Sequence, residues 1–125
     1  MEKLEYIPGD LVFHYIPKTT IKKYVKVYVC STNNALSLED MDGKLYDYIG
    51  VLYPIPLTPE ILEKNEWKKL YEKFFEKNVN NIRLTIEFSE NIYVAINRIF
   101  IMEIHYIHEL QHLLFGLGLN SEMYV

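Results

Sequence analysis

A long amphipathic stretch near the end of the chain, residues 102–118, most constrains the fold. At about 100° per residue, a helix here separates an apolar face from a polar face. The apolar face would hold Ile104, Tyr106, Ile107, Leu110, Leu113, Leu114 and Phe115, and the polar face His105, His108, Glu109 and His112. Gly116 or Gly118 supplies a left-handed stop. Such a helix needs an apolar partner surface from the rest of the chain.

The residues just before this stretch predict that partner surface. Residues 82–88 alternate, with Ile82, Leu84, Ile86 and Phe88 on one side, which is typical of a half-buried strand. After a turn at 89–91, residues 92–98 return as an antiparallel partner. A hairpin followed directly by a helix can bury the apolar face of the helix on its inner row, which predicts an α+β layer.

The first half of the chain has a β pattern. Short alternating runs lie at residues 11–15, 24–30, 35–38 and 46–53, and an Asp-Gly pair at 42–43 marks a hairpin turn. Four or five short strands with tight turns predict a small SH3-like β-barrel or a curled antiparallel sheet, since a flat ribbon would leave long edges unpaired. The predicted fold class is therefore α+β.

Two segments in the middle of the chain predict helices. In residues 54–65, Thr58 has the position of an N-cap, Pro59 that of the first helical residue, and Asn65 can end a helix of one to two turns. In residues 66–78, Trp67, Leu70, Tyr71 and Phe74 recur at helical spacing. This favours a second amphipathic helix, although aromatic residues would also suit a strand.

Length and composition limit the function classes. A chain of 125 residues predicts one compact domain, residues 1–125, with two lobes at 1–56 (β-rich) and 57–125 (α+β) as the alternative. The net charge of −4 argues against general attraction to nucleic acid. The single cysteine, Cys30, builds no disulfide framework and is expected to be a buried strand residue in a reducing compartment. No membrane-spanning run or signal-peptide core is evident, which predicts a cytoplasmic protein.

The segment His108-Glu109-Leu110-Gln111-His112 matches the H-E-x-x-H pattern of zinc metallopeptidases. Two histidines four apart on a helix reach one metal ion, and the glutamate can act as a base toward bound water. A third ligand is missing, because Gly118 stands where a further histidine would be needed. His105 would lie about 10 Å from His112. Glu122 and His14 are the other candidate ligands, so zinc remains the alternative and no cofactor is predicted.

Lysines and tyrosines interleave around the second predicted strand. Lys18, Lys22, Lys23 and Lys26 with Tyr15, Tyr24 and Tyr28 could stack bases and neutralise phosphates, or the lysines could simply protect an edge strand. An acidic run at Glu39, Asp40, Asp42 and Asp47 could neutralise the lysines or face a basic partner. The predicted partner-binding residues are Tyr24, Lys26, Tyr28, Glu39, Asp40, Asp42 and Tyr46.

The segments PIPLTPEILEKN (54–65) and YIHELQHLL (106–114) resemble a loose family of small, mostly uncharacterised proteins from bacterial genomes and their prophages. The likeness covers the C-terminal half, and the N-terminal half shares the turn and strand at residues 9–12. Relatives often carry Gln in place of the tail Glu, or a residue other than His at the last His, which a zinc enzyme could not accept. The resemblance also suggests a strand over 67–75.

The resemblance implies a mobile-element setting, in which small acidic proteins are often inhibitors of host defence, including anti-CRISPR proteins. The resulting hypothesis is a non-catalytic, protein-binding inhibitor from a phage or mobile element. Its partner would be a CRISPR effector, such as an RNA-guided RNA-cleaving enzyme, or the complex of that effector with its guide RNA. A zinc peptidase and a small RNA-binding barrel are the alternatives. The sequence alone leaves open whether the protein contacts nucleic acid directly.

Overall fold

The computed structural model describes residues 6–30 and 36–125, without the side chains of residues 29 and 30. The chain divides into two compact units, Met1–Ile55 and Pro56–Val125. The first unit contains β1 (Leu11–Tyr15), β2 (Lys22–Cys30), β3 (Leu36–Asp40), β4 (Leu45–Tyr48) and β5 (Tyr53–Pro54). The second contains α1 (Pro59–Lys64), β6 (Lys68–Tyr71), β7 (Phe74–Val79), β8 (Ile82–Phe88), β9 (Ile92–Ile96), β10 (Ile99–Ile104) and α2 (Ile107–Gly116). The fold is α+β, mostly antiparallel sheet.

The first unit is a five-stranded antiparallel sheet in the order β4-β3-β2-β1-β5. Its buried cluster, Val12, Val25, Val27 and Leu38, lies on one side of the sheet, because the register aligns Val12 with Val25 and Val27 with Leu38. Tyr46 and Tyr48 of β4 pack against the same cluster. This sheet is strongly curled, since the rings of Tyr48 and of His14 in β1 lie 4.3 Å apart although two strands separate β4 from β1.

The second unit is a sequential meander in the order β6-β7-β8-β9-β10. Phe75, Ile86 and Val94 align across its three central strands, and all three are fully buried. The helices and the C-terminal tail contribute further large buried side chains to this unit. They are Leu62 in α1, Ile107, Leu110 and Leu114 in α2, and Met123 in the tail.

The C-terminal tail runs back to the end of α1. The side-chain amide of Asn65 donates to the carbonyl of Tyr124 at 2.9 Å, and its oxygen accepts from the N–H of Tyr124 at 2.8 Å. The same amide donates to the carbonyl of Ile61 at 2.7 Å. One buried side chain therefore ends α1 and holds the tail.

The predicted C-terminal helix begins five residues later than expected. Met102 and Ile104 belong to β10, where they pair with Val94 and Ile92 of β9. The apolar residues over 102–106 fit both helical spacing and strand alternation. Pairing with β9 makes this segment a strand. The end of the helix is as predicted: Gly118 has φ +73°, and the N–H of Leu119 donates to the carbonyl of Leu114, a Schellman motif.

The helix predicted over residues 66–78 is wrong, because this segment forms β6 and β7. Phe74 pairs with Glu87 and Phe75 with Ile86, so the aromatic residues serve a sheet. Asn80 and Asn81, with φ of +49° and +66°, form the tight turn that brings β8 back onto β7. The strand that the resemblance suggests over 67–75 agrees with this arrangement.

Several local predictions are confirmed. β8 spans Ile82–Phe88 as expected, and Thr58 caps α1 by accepting from the N–H of Ile61 at 3.3 Å. Gly43, with φ +84°, occupies the hairpin turn between β3 and β4. Cys30 ends β2, but its side chain and residues 1–5 and 31–35 lie outside the described residues. Neither helix of the described chain is long and apolar enough to cross a membrane.

Candidate functional site: the aromatic face of the first sheet

Four aromatic rings meet on the side of the first sheet opposite its small aliphatic cluster. The register aligns Phe13 in β1 with Tyr24 in β2 and with Tyr53 in β5, and Tyr15 follows Phe13 by two residues. The ring of Phe13 lies 5.4 Å from that of Tyr53 in a stacked arrangement. Edge contacts join Phe13 to Tyr15 at 5.6 Å and to Tyr24 at 6.0 Å, and Tyr15 to Tyr53 at 5.3 Å. We call Phe13, Tyr15, Tyr24 and Tyr53 the aromatic face.

The rings of the aromatic face are fixed by one another and still reach solvent. Phe13 at the centre is only 6% exposed, whereas Tyr15, Tyr24 and Tyr53 are 37–39% exposed. The ammonium of Lys22 lies 4.8 Å from the centroid of Phe13, a cation–π contact. Further along β2, Tyr28 is 48% exposed. Half-exposed tyrosines that are already packed lose little side-chain entropy when a partner covers them.

The lysines of β2 do not form one basic surface. Because neighbouring residues of a strand point to opposite sides, Lys22 lies on the aromatic face and Lys23 on the other side of the sheet, 4.5 Å from the ring of Tyr46. Lys26 is aligned with Glu39 of β3, an opposite charge directly across the strand pair. The basic stripe predicted from the sequence is therefore divided and partly neutralised.

On the other side of the sheet, His14 and Tyr46 form a hydrogen-bonded pair. His14 is 4% exposed, and its Nδ1 lies 3.0 Å from the carbonyl oxygen of Tyr15. A carbonyl only accepts, so Nδ1 carries the proton and, in the neutral ring, Nε2 accepts from the Tyr46 hydroxyl at 2.7 Å. Burial, then the charge of Asp40, then Tyr48 raise the pKa of Tyr46, which keeps its hydroxyl protonated. The pair thus joins β1 to β4.

A cleft of about 540 Å³ lies beside this pair, between β4 and the chain that joins β1 to β2. Its walls are His14, Ile16, Pro17, Lys22, Lys23, Tyr46 and Tyr48. The imidazole of His14 and the hydroxyl of Tyr46 bond to each other, and the Tyr48 hydroxyl donates to the carbonyl of Val51 at 3.2 Å. These polar groups therefore have structural hydrogen bonds that hold the sheet.

Asp40 and Asp42 shape the turn between β3 and β4. The Asp40 carboxylate accepts from the N–H groups of Lys44 at 2.9 Å and Asp42 at 3.0 Å. The hydrogen bond from the Lys44 N–H is the largest cause that lowers the pKa of Asp40, and the positive charge of Lys23 adds to it. Asp42 is exposed at the tip of the turn. Asp40 therefore has a structural role that the sequence interpretation did not assign to it.

The H-E-x-x-H segment, residues 108–112, lies within α2 as predicted, but its side chains make structural contacts. The Glu109 carboxylate accepts from the N–H groups of His105 at 2.9 Å and Tyr106 at 3.0 Å, the return half of a capping box. His108 is 3% exposed, and its ring centroid lies 5.5 Å from that of His112. His105 precedes the helix. Within residues 6–30 and 36–125, no three metal-ligating side chains cluster.

The polar face predicted for the C-terminal helix is only partly solvated, because His105 is exposed, Glu109 and His112 are half-buried, and His108 is buried. His108 and Gln111 are both 3% exposed, and the Gln111 side chain donates to the carbonyl of Ser121 at 3.1 Å. The tail that follows the helix covers this side. Sequence periodicity cannot show such coverage, because the seven residues after Gly118 carry no periodic pattern of their own.

The structure divides the predicted partner-binding residues into three places. Tyr24, Lys26, Tyr28 and Glu39 alternate with the buried residues of β2 and β3, while Tyr46 and Asp40 lie on the side of the buried cluster, and Asp42 lies in the turn. Sequence reasoning missed Phe13 and Tyr53, and it named Tyr15 only as a candidate for stacking on bases. Alternation in β1 does place Phe13 and Tyr15 together, but the pairing of β5 with β1 has no local signal.

The fold and this surface define a two-sheet α+β protein with a preformed aromatic face. Comparisons with protein-family models, with curated proteins and with solved structures found no match to this chain.

Proposed function

We propose that the protein is a non-catalytic binding protein whose aromatic face contacts a protein partner. The observation that carries this proposal is the cluster of three half-exposed tyrosines held around a buried Phe13. Tyrosine is enriched among the residues that dominate binding energy at protein interfaces. A rigid aromatic cluster with a polar rim, here Lys22, Lys26 and Glu39, has the composition of such an interface.

Charge favours a protein over a nucleic acid as the partner. The chain has 13 basic and 17 acidic residues. Lys23 lies on the opposite side of the sheet from Lys22, and Lys26 stands against Glu39, so the aromatic face has no run of cations that could track a phosphate backbone. RNA binding remains the second candidate, because exposed tyrosines can also stack on bases.

The engagement of Glu109 supports a non-catalytic role. As a metallopeptidase base, Glu109 would have to leave the backbone N–H groups of His105 and Tyr106 that it caps. The burial of His108 argues in the same direction, since a catalytic zinc needs an open coordination position that a substrate can reach.

Finer parts of the proposal rest on the sequence resemblance and on strand order. The order β4-β3-β2-β1-β5, with β5 beside β1, supports an SH3-like description of the first unit. The resemblance to prophage proteins supports a cytoplasmic inhibitor of a CRISPR effector. An acidic protein with an aromatic contact surface is suited to bind such an effector, which itself has basic channels for nucleic acid.

The proposal can be tested by placing a photo-crosslinking amino acid at position 24 in the producing cell. Position 71 is the matched control, since Tyr71 is another exposed strand tyrosine, 73% exposed, in the second sheet. Irradiation should give one discrete protein adduct from position 24 and none from position 71. Adducts from position 71 alone, or RNA adducts at position 24, would contradict the proposal.

The CRISPR hypothesis has its own assay. Purified RNA-guided RNA-cleaving effectors would be incubated with the protein, and cleavage of a fluorescent RNA followed. Inhibition should be lost in a Tyr24→Ala, Tyr53→Ala double variant and kept in His112→Ala. Failure to inhibit any effector would reject this choice of partner and leave the crosslinking result to decide whether a protein partner exists.

A further inference from the structure

A cleft of about 410 Å³ lies on the side of the second sheet opposite its buried residues. Two rows of aligned side chains form it, Phe74, Glu87 and Tyr93 in one row and Thr85, Ala95 and Phe100 in the next. Because Thr85 and Ala95 are small, the second row leaves space between the larger rings. The volume of this cleft lies within the range of small-molecule sites.

Glu87 stands between two aromatic residues of this cleft. It is aligned with Phe74 of β7 on one side and with Tyr93 of β9 on the other. Directly opposite residues of paired strands have Cβ atoms about 4.5–5.5 Å apart, so a ring flanks the carboxylate on each side. The ring of Phe100 extends this wall, 5.8 Å from the ring of Tyr93.

The carboxylate of Glu87 is half-buried and carries an unbalanced charge. In the part of the chain that the structure describes, it forms no ion pair and no side-chain hydrogen bond. A negative charge between aromatic rings attracts a cation by Coulomb and by cation–π interaction. Because the neighbouring walls are aromatic, a cation whose charge is covered by carbon fits better than a hydrated ion. This describes an alkylated ammonium group.

Arg98 lines the same cleft and supplies the opposite charge. It lies in the turn after β9, and within residues 6–30 and 36–125 its guanidinium forms no ion pair. From Tyr93, the partner of Glu87, to Ile96 at the end of β9 is about 10 Å at about 3.3 Å per residue. The two charges therefore belong to different ends of the cleft, and a ligand with an acidic group several bonds from its ammonium complements both.

We propose that this cleft binds a small zwitterion of the betaine class. Its alkylated ammonium lies over Glu87 between the rings of Phe74 and Tyr93, and its carboxylate pairs with Arg98. A ligand with only one charge would leave either Glu87 or Arg98 facing it without an opposite charge. All residues of the cleft belong to the second unit, so this inference is independent of the partner proposed for the aromatic face.

NMR titration of the isotope-labelled protein with three matched probes tests the inference. The first probe is the betaine 4-(trimethylammonio)butanoate. The second, 5,5-dimethylhexanoate, has the same shape but carries carbon in place of the charged nitrogen. The third, butyltrimethylammonium, lacks the carboxylate. The betaine should give saturable shifts at the amides of Thr85, Glu87 and Ala95, and the carbon isostere should bind at least about tenfold more weakly, because it loses the attraction of Glu87 and of the rings.

Variants assign the two ends of the ligand. Glu87→Gln should weaken betaine binding about tenfold or more, whereas Glu63→Gln, the same change of charge at an exposed position of α1, should leave it unchanged. Arg98→Gln should weaken the betaine several-fold without weakening butyltrimethylammonium, because only the betaine has a group for Arg98 to pair with. Circular dichroism would verify that each variant is folded.

Four results would overturn the inference. They are the absence of a saturable shift with the betaine, shifts confined to the first unit, equal binding of the carbon isostere, and betaine binding that survives Glu87→Gln. The Tyr24→Ala, Tyr53→Ala double variant should bind the betaine normally, so failure here is distinct from failure of the proposed function.

Discussion

The two sheets have the same number of strands but place their aromatic residues differently. In the second sheet Phe75 is fully buried, edge contacts join Tyr71 to Phe74 and Tyr93 to Phe100, and Phe74, Tyr93 and Phe100 line a cleft of about 410 Å³. In the first sheet the buried cluster is aliphatic with Tyr46 and Tyr48 packed against it, and the four rings of the aromatic face gather on the opposite side. Aromatic area that does not stabilise the interior is available for contact, which is why the first sheet is the better candidate for binding.

The largest expected effects compare the two interiors. Leu110 in α2 and Val25 in β2 are both fully buried. Leu110→Ala should lower the free energy of unfolding by about 2–5 kcal/mol, and Val25→Ala by about 2 kcal/mol, because fewer carbons are lost. Urea denaturation followed by the fluorescence of the single tryptophan, Trp67, reports on the second unit, and far-UV circular dichroism reports on both. A larger loss for Val25→Ala would reverse the comparison.

The C-terminal tail extends the comparison of the two units, because the hydrogen bonds between the tail and the end of α1 stabilise only the second unit. Asn65→Ala removes three hydrogen bonds at a residue that is 7% exposed. The free energy of unfolding should fall by about 1–3 kcal/mol, and the Tyr124 amide should exchange faster with solvent. Asn120→Ala, which removes an exposed hydrogen bond to the Glu122 N–H, is the control. Unchanged exchange at Tyr124 in Asn65→Ala would contradict this account of the tail.

A substitution of Glu109 distinguishes a helix-capping role of this residue from a role as a catalytic base. Glu109→Gln keeps an oxygen that can accept from the same N–H groups, so stability should fall by only about 0.5 kcal/mol and partner binding should be unchanged. Thermal melting and the crosslinking yield from position 24 measure the two quantities. Complete loss of a peptidase activity in a variant that stays folded would make Glu109 a catalytic base.

The smallest expected effect is the pH response of the turn between β3 and β4. The pKa of Asp40 is lowered in the folded protein, chiefly by the Lys44 N–H. Its stabilisation is therefore fully present above the ordinary carboxyl pKa of about 3.9 and is lost as the pH falls through the lowered pKa. The Lys44 amide resonance in NMR should shift in that acid range and stop shifting in Asp40→Asn. Asp42→Asn is the control, and an identical shift in both variants would contradict the assignment.

The sequence predicts most of the helices and strands correctly. The predictions fail where pairing between distant strands determines the secondary structure. Ile82–Phe88 and the cap at Thr58 follow from alternation and from side-chain chemistry within a few residues. The strands over Lys68–Tyr71 and Phe74–Val79 do not, since aromatic residues at helical spacing take the conformation that their partner strand offers. The exposure of the β2 tyrosines follows from local alternation and could be predicted. Tyr53 joins them only through the pairing of β5 with β1, which no local pattern indicates.

The most direct test of the central claim is the affinity of the crosslinked partner, measured by titration calorimetry, for two double variants. Tyr24→Ala with Tyr53→Ala removes exposed rings from the aromatic face, and Tyr71→Ala with Phe100→Ala removes exposed rings from the second sheet. We expect the first pair to weaken binding at least about tenfold and the second to leave it unchanged. Equal losses, or a loss confined to the second pair, would contradict the assignment of binding to the first sheet.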